Sequence, residues 1–247
     1  MEPGAGLLLF LAGVAGSAVN AVAGGGTFFT FPALLAAGVP PVAANASNAV
    51  ALWPGYILST LGFRDEVVAL RERLRGSSLI ALMGGVLGAW LLLRTGNATF
   101  LRLVPVLLLF ATVLFALGPG ITSRVGTAGP LLAGVVELAI ATYGGFFNAG
   151  LGILLLAGLA LTGVHNIHQQ NGLKNLLSAI INSAAVFAFV LAGVVRWPET
   201  LAVLAGALVG GYGGAMLARR IPAPWLRRVV VVMGLLLSVY YAGKAYL

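Results

Sequence analysis

The sequence predicts an all-α polytopic membrane protein made of two inverted five-element helical repeats, each with a glycine-broken first helix. Three observations predict this fold class. Hydrophobic residues make up 60% of the 247 residues and charged residues only 8%, whereas a soluble domain carries about 25% charged residues. The second half of the chain repeats the first, and the basic residues favour one side of the membrane.

The internal repeat is visible in four pairs of segments. Phe100-Leu-Arg102 returns as Trp225-Leu-Arg227, and Gly85-Val-Leu-Gly88-Ala89 returns as Gly211-Tyr-Gly-Gly214-Ala215. Asn20-Ala21 returns as Asn148-Ala149, and Asn45-Ala-Ser-Asn48 returns as Asn171-Gly-Leu-Lys174, so the shifts are 125, 126, 128 and 126 residues. A duplicated and strongly apolar chain is typical of a transporter whose site lies where two repeats meet.

Apolar runs predict five elements in each half of a single transmembrane domain. The runs lie at 5–20, 25–38, 42–62, 77–93 and 99–118, and again at 130–147, 150–163, 170–193, 200–218 and 225–246. Repeat one therefore spans about 5–118 and repeat two about 130–246. Proline, glycine and serine between them predict a linker at about 119–129.

The basic residues decide how many times each half crosses the membrane. If the first stretch of each half were one span, the 14 Lys and Arg residues would divide seven and seven. If that stretch goes in and returns, ten lie on one side and four on the other. The positive-inside rule favours the second topology, which places both termini on the outer side of the membrane. The expected location is the cell (inner) membrane. Five elements per half invert the second repeat. Each first stretch is then either two short spans or a re-entrant hairpin.

The pair of broken helices is the first candidate site. Its residues are Asn20, Gly24, Gly25, Gly26 and Thr27 in the first half and Asn148, Gly150 and Gly152 in the second. Backbone N–H groups and the positive dipole end at such a break suit an anion. Two breaks related by a two-fold axis in the membrane plane meet near the midplane. The alternative interpretation is that these glycines only allow close helix packing.

Polar residues near the start of later helices form the second candidate. Asn45 and Asn48 lie three residues apart, as do Asn171 and Lys174, and Gln170 lies beside the second pair. This spacing places each pair on one helix face, and polar groups in apolar helices usually face the interior of a bundle. Lys174 would attract an anion. The alternative roles are helix capping for Asn45 and snorkelling for Lys174.

Glu137 is the third candidate, because it is the only acidic residue inside an apolar run. A carboxylate in that setting is costly and indicates a functional role, here as the carrier of a coupling proton. The alternative is a structural hydrogen bond to a neighbouring helix.

The sequence shows no constellation typical of an enzyme, a cofactor site or a metal site. It contains no nucleophile motif, no HExxH and no phosphate-binding loop. The two histidines, His165 and His168, have no cysteine or carboxylate beside them. The net charge of +8 is better explained by membrane lipids and orientation than by nucleic acid, because the basic residues lie in short loops. Without an ATP-binding motif, pumping would need an ion gradient or another protein chain.

Two glycine-rich segments carry a family resemblance. They are Ala18-Val-Asn20-Ala-Val-Ala-Gly24-Gly25-Gly26-Thr27, followed by Phe31-Pro32 and Gly38-Val39, and Gly144-Gly-Phe-Phe-Asn148-Ala-Gly150-Leu-Gly152, followed by Gly163-Val164 and Asn171-Gly-Leu-Lys174-Asn175. The chain resembles the TauE/SafE family of bacterial membrane transporters, also called sulfite exporters, over nearly its whole length. The resemblance implies a secondary transporter for sulfite, sulfoacetate or another small organosulfur anion. Leu151 departs from a fully glycine-rich second motif, which argues against equal roles for the two copies.

The function expected from the sequence is therefore secondary transport of a small anion, of the sulfonate or sulfite type, by alternating access between the repeats. A passive anion channel is the alternative. A channel would show uncoupled flux with little saturation, whereas Glu137 inside a span favours coupling.

Overall fold

The described part of the chain is helical apart from short connections. The computed structural model describes residues 3–23, 25–61, 63–69, 71–124, 126–164, 166–211 and 223–246. Its helices are α1 (Pro3–Ala23), α2 (Thr27–Ala36), α3 (Pro41–Leu61), α4 (Arg64–Ala69), α5 (Arg71–Arg94), α6 (Asn97–Arg124), α7 (Pro130–Phe146), α8 (Leu151–Leu161), α9 (Ile167–Leu191), α10 (Trp197–Val209) and α11 (Ala223–Tyr246). The prediction of an all-helical membrane protein is confirmed: within these ranges four stretches are long and apolar enough to cross a membrane, namely Leu74–Arg94, Asn97–Leu117, His168–Leu191 and Arg228–Tyr246.

A helix forms at each of the ten predicted runs, and α4 is an additional short helix in the loop after α3. The end of α6 differs from the prediction. This helix continues to Arg124, into the segment expected to be a linker, and the connection that follows begins at Gly126. Glycine costs only about 1 kcal/mol in a helix interior, so Gly120 alone does not stop the helix.

The helix breaks lie at the glycine clusters, where two short helices begin. α1 ends at Ala23 and α2 begins at Thr27, and the equivalent pair α7 and α8 is separated at 147–150. α2 has 10 residues and α8 has 11, so each is about 15–17 Å long, roughly half of a hydrocarbon core of about 30 Å. Each break therefore lies near the middle of the bundle.

Equivalent helices of the two halves pack against each other in antiparallel directions. Along α3 and α9, the Ser47 hydroxyl accepts from the Arg196 backbone N–H (2.9 Å), whereas Trp53 Nε1 donates to Ser183 Oγ (2.8 Å). The contact thus moves backward along α9 as it moves forward along α3. α6 and α11 behave alike, because the Tyr246 hydroxyl near the end of α11 donates to the Arg102 carbonyl near the start of α6 (2.8 Å).

Two further close pairs join the first helix of one half to the fourth element of the other half, in parallel directions. α1 packs on α10, and α7 packs on α5. Glycine makes both contacts close: a Cβ added to Gly210 would overlap the carbonyl oxygen of Val14, and one added to Gly84 would lie 2.9 Å from the Thr142 nitrogen. These are equivalent positions, since Gly84 and Gly210 differ by 126 and Val14 and Thr142 by 128. The two contacts thus involve positions that the sequence repeat relates.

The connections collect at two ends of the bundle. The connections after α6 and α8 lie together, because the Ala128 N–H donates to the Leu161 carbonyl (2.9 Å), and α4 packs on α9 nearby. We call this end, which holds the arginine-rich loop after α3, the basic end. The connections after α2 and α5 lie together at the opposite end, where the Val42 N–H donates to Asn97 Oδ1 (3.0 Å).

A candidate anion site at the two helix breaks

The first break is held by polar side chains from α1, α2 and α3. The Gly26 N–H donates to Asn20 Oδ1 at 3.4 Å, and Asn48 Nδ2 donates to Thr27 Oγ1 at 3.4 Å. The Thr30 hydroxyl donates to Asn48 Oδ1. Thr27, Thr30 and Asn48 are buried, whereas Asn20 is half-buried. Asn48 thus stabilises the start of α2 against α3, whereas Asn20 is less buried than these three residues.

A cavity of about 300 Å³ lies beside the first break. Its polar wall consists of Ser17, Asn20 and Ser59, and its apolar wall comes from the C-terminal halves of α3 and α10. Among the residues that the structure describes, none in this lining carries a charge. Leu58 and Ser59 are exposed at its rim, so the cavity opens toward the basic end. The structure therefore joins Asn20 to one end of the bundle through a space lined by neutral hydrogen-bonding groups.

The second break is closed over by a chain of hydrogen bonds. Gly150, the residue before α8, adopts φ = 75°, a left-handed conformation that glycine reaches without steric cost. Asn148 Nδ2 donates to Asn182 Oδ1 (2.8 Å) and to the Tyr56 hydroxyl (3.1 Å). Asn182 Nδ2 in turn donates to the Ser178 carbonyl (2.8 Å). That last bond fixes the orientation of the Asn182 amide, so both hydrogens of the Asn148 amide are used by the two acceptors.

Two buried amide oxygens near the second break accept no hydrogen bond. They are Asn148 Oδ1 and Asn45 Oδ1. Asn45 Nδ2 donates to the Phe146 carbonyl (2.9 Å), which ties α3 to the end of α7. An unpaired buried acceptor costs about 1–3 kcal/mol of folding free energy. These two oxygens therefore do not stabilise the fold, which makes them candidates for a functional role.

The start of α9 brings a positive charge near the second break. The Lys174 Nζ donates to Asn171 Oδ1 (3.2 Å), and both residues are half-buried. The Lys174 side chain also passes close to Gly152, because a Cβ added to that glycine would lie 3.6 Å from Lys174 Cδ. Gln170 has a different role: its Nε2 donates to the Val164 carbonyl (2.6 Å) and holds the connection before α9.

Glu137 lies in a separate cavity of about 400 Å³ among α5, α7, α8 and α9. Its Oε2 accepts from the Ser77 hydroxyl (3.1 Å), and its Oε1 is buried without a partner. Glu137 lies eleven positions before Asn148, about 16 Å at 1.5 Å per residue. Gly76 and Ala128 in the lining place this cavity at the basic end as well.

Aromatic rings fill the region between the breaks and the opposite end. Phe31, Phe100 and Phe147 are fully buried and meet edge to face with centroids 5.5–6.4 Å apart. Phe146 joins them, with its ring centroid 5.6 Å from that of Phe100. These rings come from both halves of the chain. Both cavities described above thus open toward the basic end, and an aromatic layer lies on the other side of the breaks.

The structure places most of the predicted site residues at one or the other break. Gly25 and Gly26 are tightly packed: a Cβ on Gly25 would lie 3.1 Å from Val230 Cγ1, and one on Gly26 would lie 2.9 Å from the Gly16 carbonyl oxygen. Gly24 lies outside the described residues. Sequence reasoning missed Tyr56 and Asn182. The repeat contained the signal, because the shift of 126 residues relates these two positions.

Comparison of the sequence with known protein families finds one that matches residues 9–241, described as "Sulfite exporter TauE/SafE". This chain belongs to the TauE/SafE family. Membership confirms the resemblance found in the sequence and makes the chain a membrane transporter. No solved structure matches the chain.

Three relatives show how far the TauE/SafE similarity extends. A probable membrane transporter protein of Haemophilus influenzae is 30% identical over 94% of this chain and 92% of its own length. The probable membrane transporter protein YfcA of Escherichia coli strain K12 is 30% identical over 94% of this chain and 87% of its own. The probable membrane transporter protein ORF9 of a Sinorhizobium species is 27% identical over 94% and 90%. None of these names states a substrate.

Proposed function

We propose that this TauE/SafE protein is a secondary transporter that carries a small oxyanion, of the sulfite or sulfonate type, by alternating access between two inverted repeats. The observation that carries the proposal is the cavity beside Asn20. It leads from the basic end to the first helix break, and neutral polar groups line it.

The chemistry of this cavity suits an anion that must bind and leave again. The hydroxyl groups of Ser17 and Ser59 and the amide of Asn20 donate to oxyanion oxygens and carry no charge themselves. Transport requires binding strong enough to enter the site and weak enough to leave it, which favours neutral donors over a buried arginine. A volume of about 300 Å³ equals about ten water molecules at about 30 Å³ each, so it holds a small oxyanion with part of its hydration shell.

The helix packing supports the inverted arrangement of the repeats. If the two-fold axis stood along the membrane normal, equivalent helices would run parallel, whereas α3 and α9 run antiparallel, as do α6 and α11. An axis in the membrane plane produces this relation. The lengths of α2 and α8 favour the re-entrant hairpin, because neither helix is long enough to cross the membrane alone.

Lys174 and Glu137 have separate roles in the proposal. Lys174 attracts the anion toward the second break, beside Gly152. Glu137 carries the coupling proton, because its unpartnered Oε1 lies in a cavity at the basic end about three helical turns from Asn148. Protonation removes the cost of a lone carboxylate at membrane depth, so the neutral form can move with its repeat.

Binding to the purified protein tests the proposal. Sulfite and methanesulfonate should raise the melting temperature, and Asn20→Ala should weaken both affinities about tenfold, since a hydrogen bond to a charged group contributes about 1.5–3 kcal/mol. Asn175→Ala, which alters a half-buried asparagine outside both cavities, is the matched control. If the Asn20→Ala protein bound both anions as the wild type does, the cavity would not be the site.

Flux in vesicles separates a transporter from a channel. A transporter exchanges labelled substrate against unlabelled substrate on the far side, with a rate that saturates. A passive channel shows flux that rises with concentration and no acceleration by substrate on the far side. The second result would support the channel instead.

A further inference from the structure

Tyr56 and Asn182 occupy one position of the repeat, since they lie 126 residues apart. They also come together in space, where the antiparallel α3 and α9 cross, because Asn148 Nδ2 donates to both of them at 3.1 and 2.8 Å. Exchanging the two halves maps Tyr56 onto Asn182 and Asn182 onto Tyr56. The pair therefore remains in place under the symmetry of the fold.

Asn148 does not remain in place under the same exchange. Its equivalent is Asn20, at the shift of 128 residues that relates α1 to α7 in their glycine contacts. The two asparagines differ in the structure. Asn148 is 5% exposed and bound to the pair, whereas Asn20 is half-buried, faces the cavity and accepts one long hydrogen bond of 3.4 Å from Gly26.

We infer that Tyr56 and Asn182 form one dock that Asn148 and Asn20 occupy in turn during transport, an inference that rests on the proposed alternating access. With Asn148 docked, the second break is closed and the first opens to the basic end, as the structure has it. With Asn20 docked, the first break closes and the second opens to the opposite end. Tyr56 and Asn182 are thus positioning residues of the transport cycle.

The chemistry of the dock explains why it holds one asparagine at a time. The Asn182 Nδ2 group is bound to the Ser178 carbonyl, so the dock offers two acceptors, Asn182 Oδ1 and the Tyr56 oxygen. A primary amide is a short neutral group with two hydrogens on one nitrogen, and Asn148 uses both. A second amide would compete with Asn148 for these two oxygens, so we expect docking of Asn20 to release Asn148.

Two reporter cysteines distinguish the states, and the chain contains no native cysteine. Ser59 is exposed at the rim of the first cavity, and its equivalent, Ala185, is 1% exposed. Ser59→Cys should react with a maleimide when Asn148 is docked, and Ala185→Cys should react when Asn20 is docked. In purified protein, Asn148→Ala should raise the labelling rate of Ala185→Cys and lower that of Ser59→Cys, each about tenfold.

Changes with opposite sign are the central expectation. Asn20→Ala should leave Ser59→Cys reactive and lower labelling of Ala185→Cys. Tyr56→Phe removes an acceptor from both docked states and should leave the ratio of the two labelling rates unchanged. Asn175→Ala is the control for general loosening of the fold.

If Asn148→Ala and Asn20→Ala changed the two rates in the same direction, or if Asn148→Ala left Ala185→Cys unreactive, the shared dock would be wrong. Anion binding by purified wild-type protein tests the proposed function separately. Opposed labelling changes without anion binding would retain the dock and refute the substrate class. Anion binding without opposed changes would do the reverse.

Discussion

Gly88 provides a direct test of the close packing between α5 and α7. A Cβ added there would overlap the Thr142 carbonyl oxygen and lie 2.6 Å from the Phe146 nitrogen. Nonbonded carbon contacts have their optimum at about 3.5–4.0 Å, so Gly88→Ala forces the two helices apart by about 1 Å. The atoms in the way belong to the backbone, so no change of rotamer relieves the overlap.

The expected cost follows from two opposing terms. Overpacking of this kind costs about 1–3 kcal/mol, here near the upper limit, and the better helix propensity of alanine returns about 1 kcal/mol. Gly88→Ala should therefore lower the free energy of unfolding by about 2 kcal/mol. Gly134→Ala is the matched control on α7, because its Cβ would meet only Ile80 Cδ1 at 3.7 Å. The Gly134→Ala substitution should raise the free energy of unfolding by about 1 kcal/mol, through helix propensity alone.

Thermal unfolding of the two purified variants in detergent measures the difference. A gap of about 3 kcal/mol corresponds to melting temperatures about 6–12 °C apart for a chain of this size. Equal melting temperatures for Gly88→Ala and Gly134→Ala would refute the packing described here, because the two substitutions differ only in the neighbours that they meet.

Three further predictions concern transport and topology. Lys174→Gln should lower the anion affinity about threefold at low salt, with a smaller difference at high salt because ions screen the charge; isothermal titration at two ionic strengths checks this, and a salt-independent loss would argue against an electrostatic role. Glu137→Gln should still exchange substrate across vesicles but should not accumulate it in a pH gradient, and retained accumulation would remove the proton role. Gly96 and Gly126 are exposed glycines with open space around them, in the connections after α5 and α6. On intact cells, a membrane-impermeant thiol reagent should label Gly96→Cys and should not label Gly126→Cys. The reverse pattern would invert the proposed orientation.

The sequence alone determined the class of fold and the position of most helices. A mean hydropathy of +1.04 leaves no soluble alternative, and the apolar runs located the helices because burial in a membrane needs a continuous stretch of apolar residues. The glycine clusters marked the breaks at 24–26 and 147–150 for a local reason, since glycine destabilises a helix interior at any position. The end of α6 was placed too early, because a single glycine such as Gly120 costs too little to end a helix.

The candidate site was only partly readable from the sequence. Asn20 and Asn148 were found because each stands beside a glycine cluster, a pattern within a few residues of chain. Tyr56 and Asn182 were not found, because nothing near them in the sequence marks them as polar partners of a distant residue. Asn45 and Asn48 were predicted as one group, whereas Asn48 binds the first break and Asn45 binds the end of α7.

Only the tertiary structure shows that the equivalent residues Asn20 and Asn148 differ in burial and in hydrogen bonding. The sequence predicts two breaks of similar chemistry, and it says nothing of which one is open. In the structure, Asn148 is held by Tyr56 and Asn182 while Asn20 faces a cavity. Sequence patterns report local preferences, which the two repeats share, whereas the burial of Asn148 depends on hydrogen bonds to residues 92 and 34 positions away in the chain. Only the folded chain brings those residues within hydrogen-bonding distance.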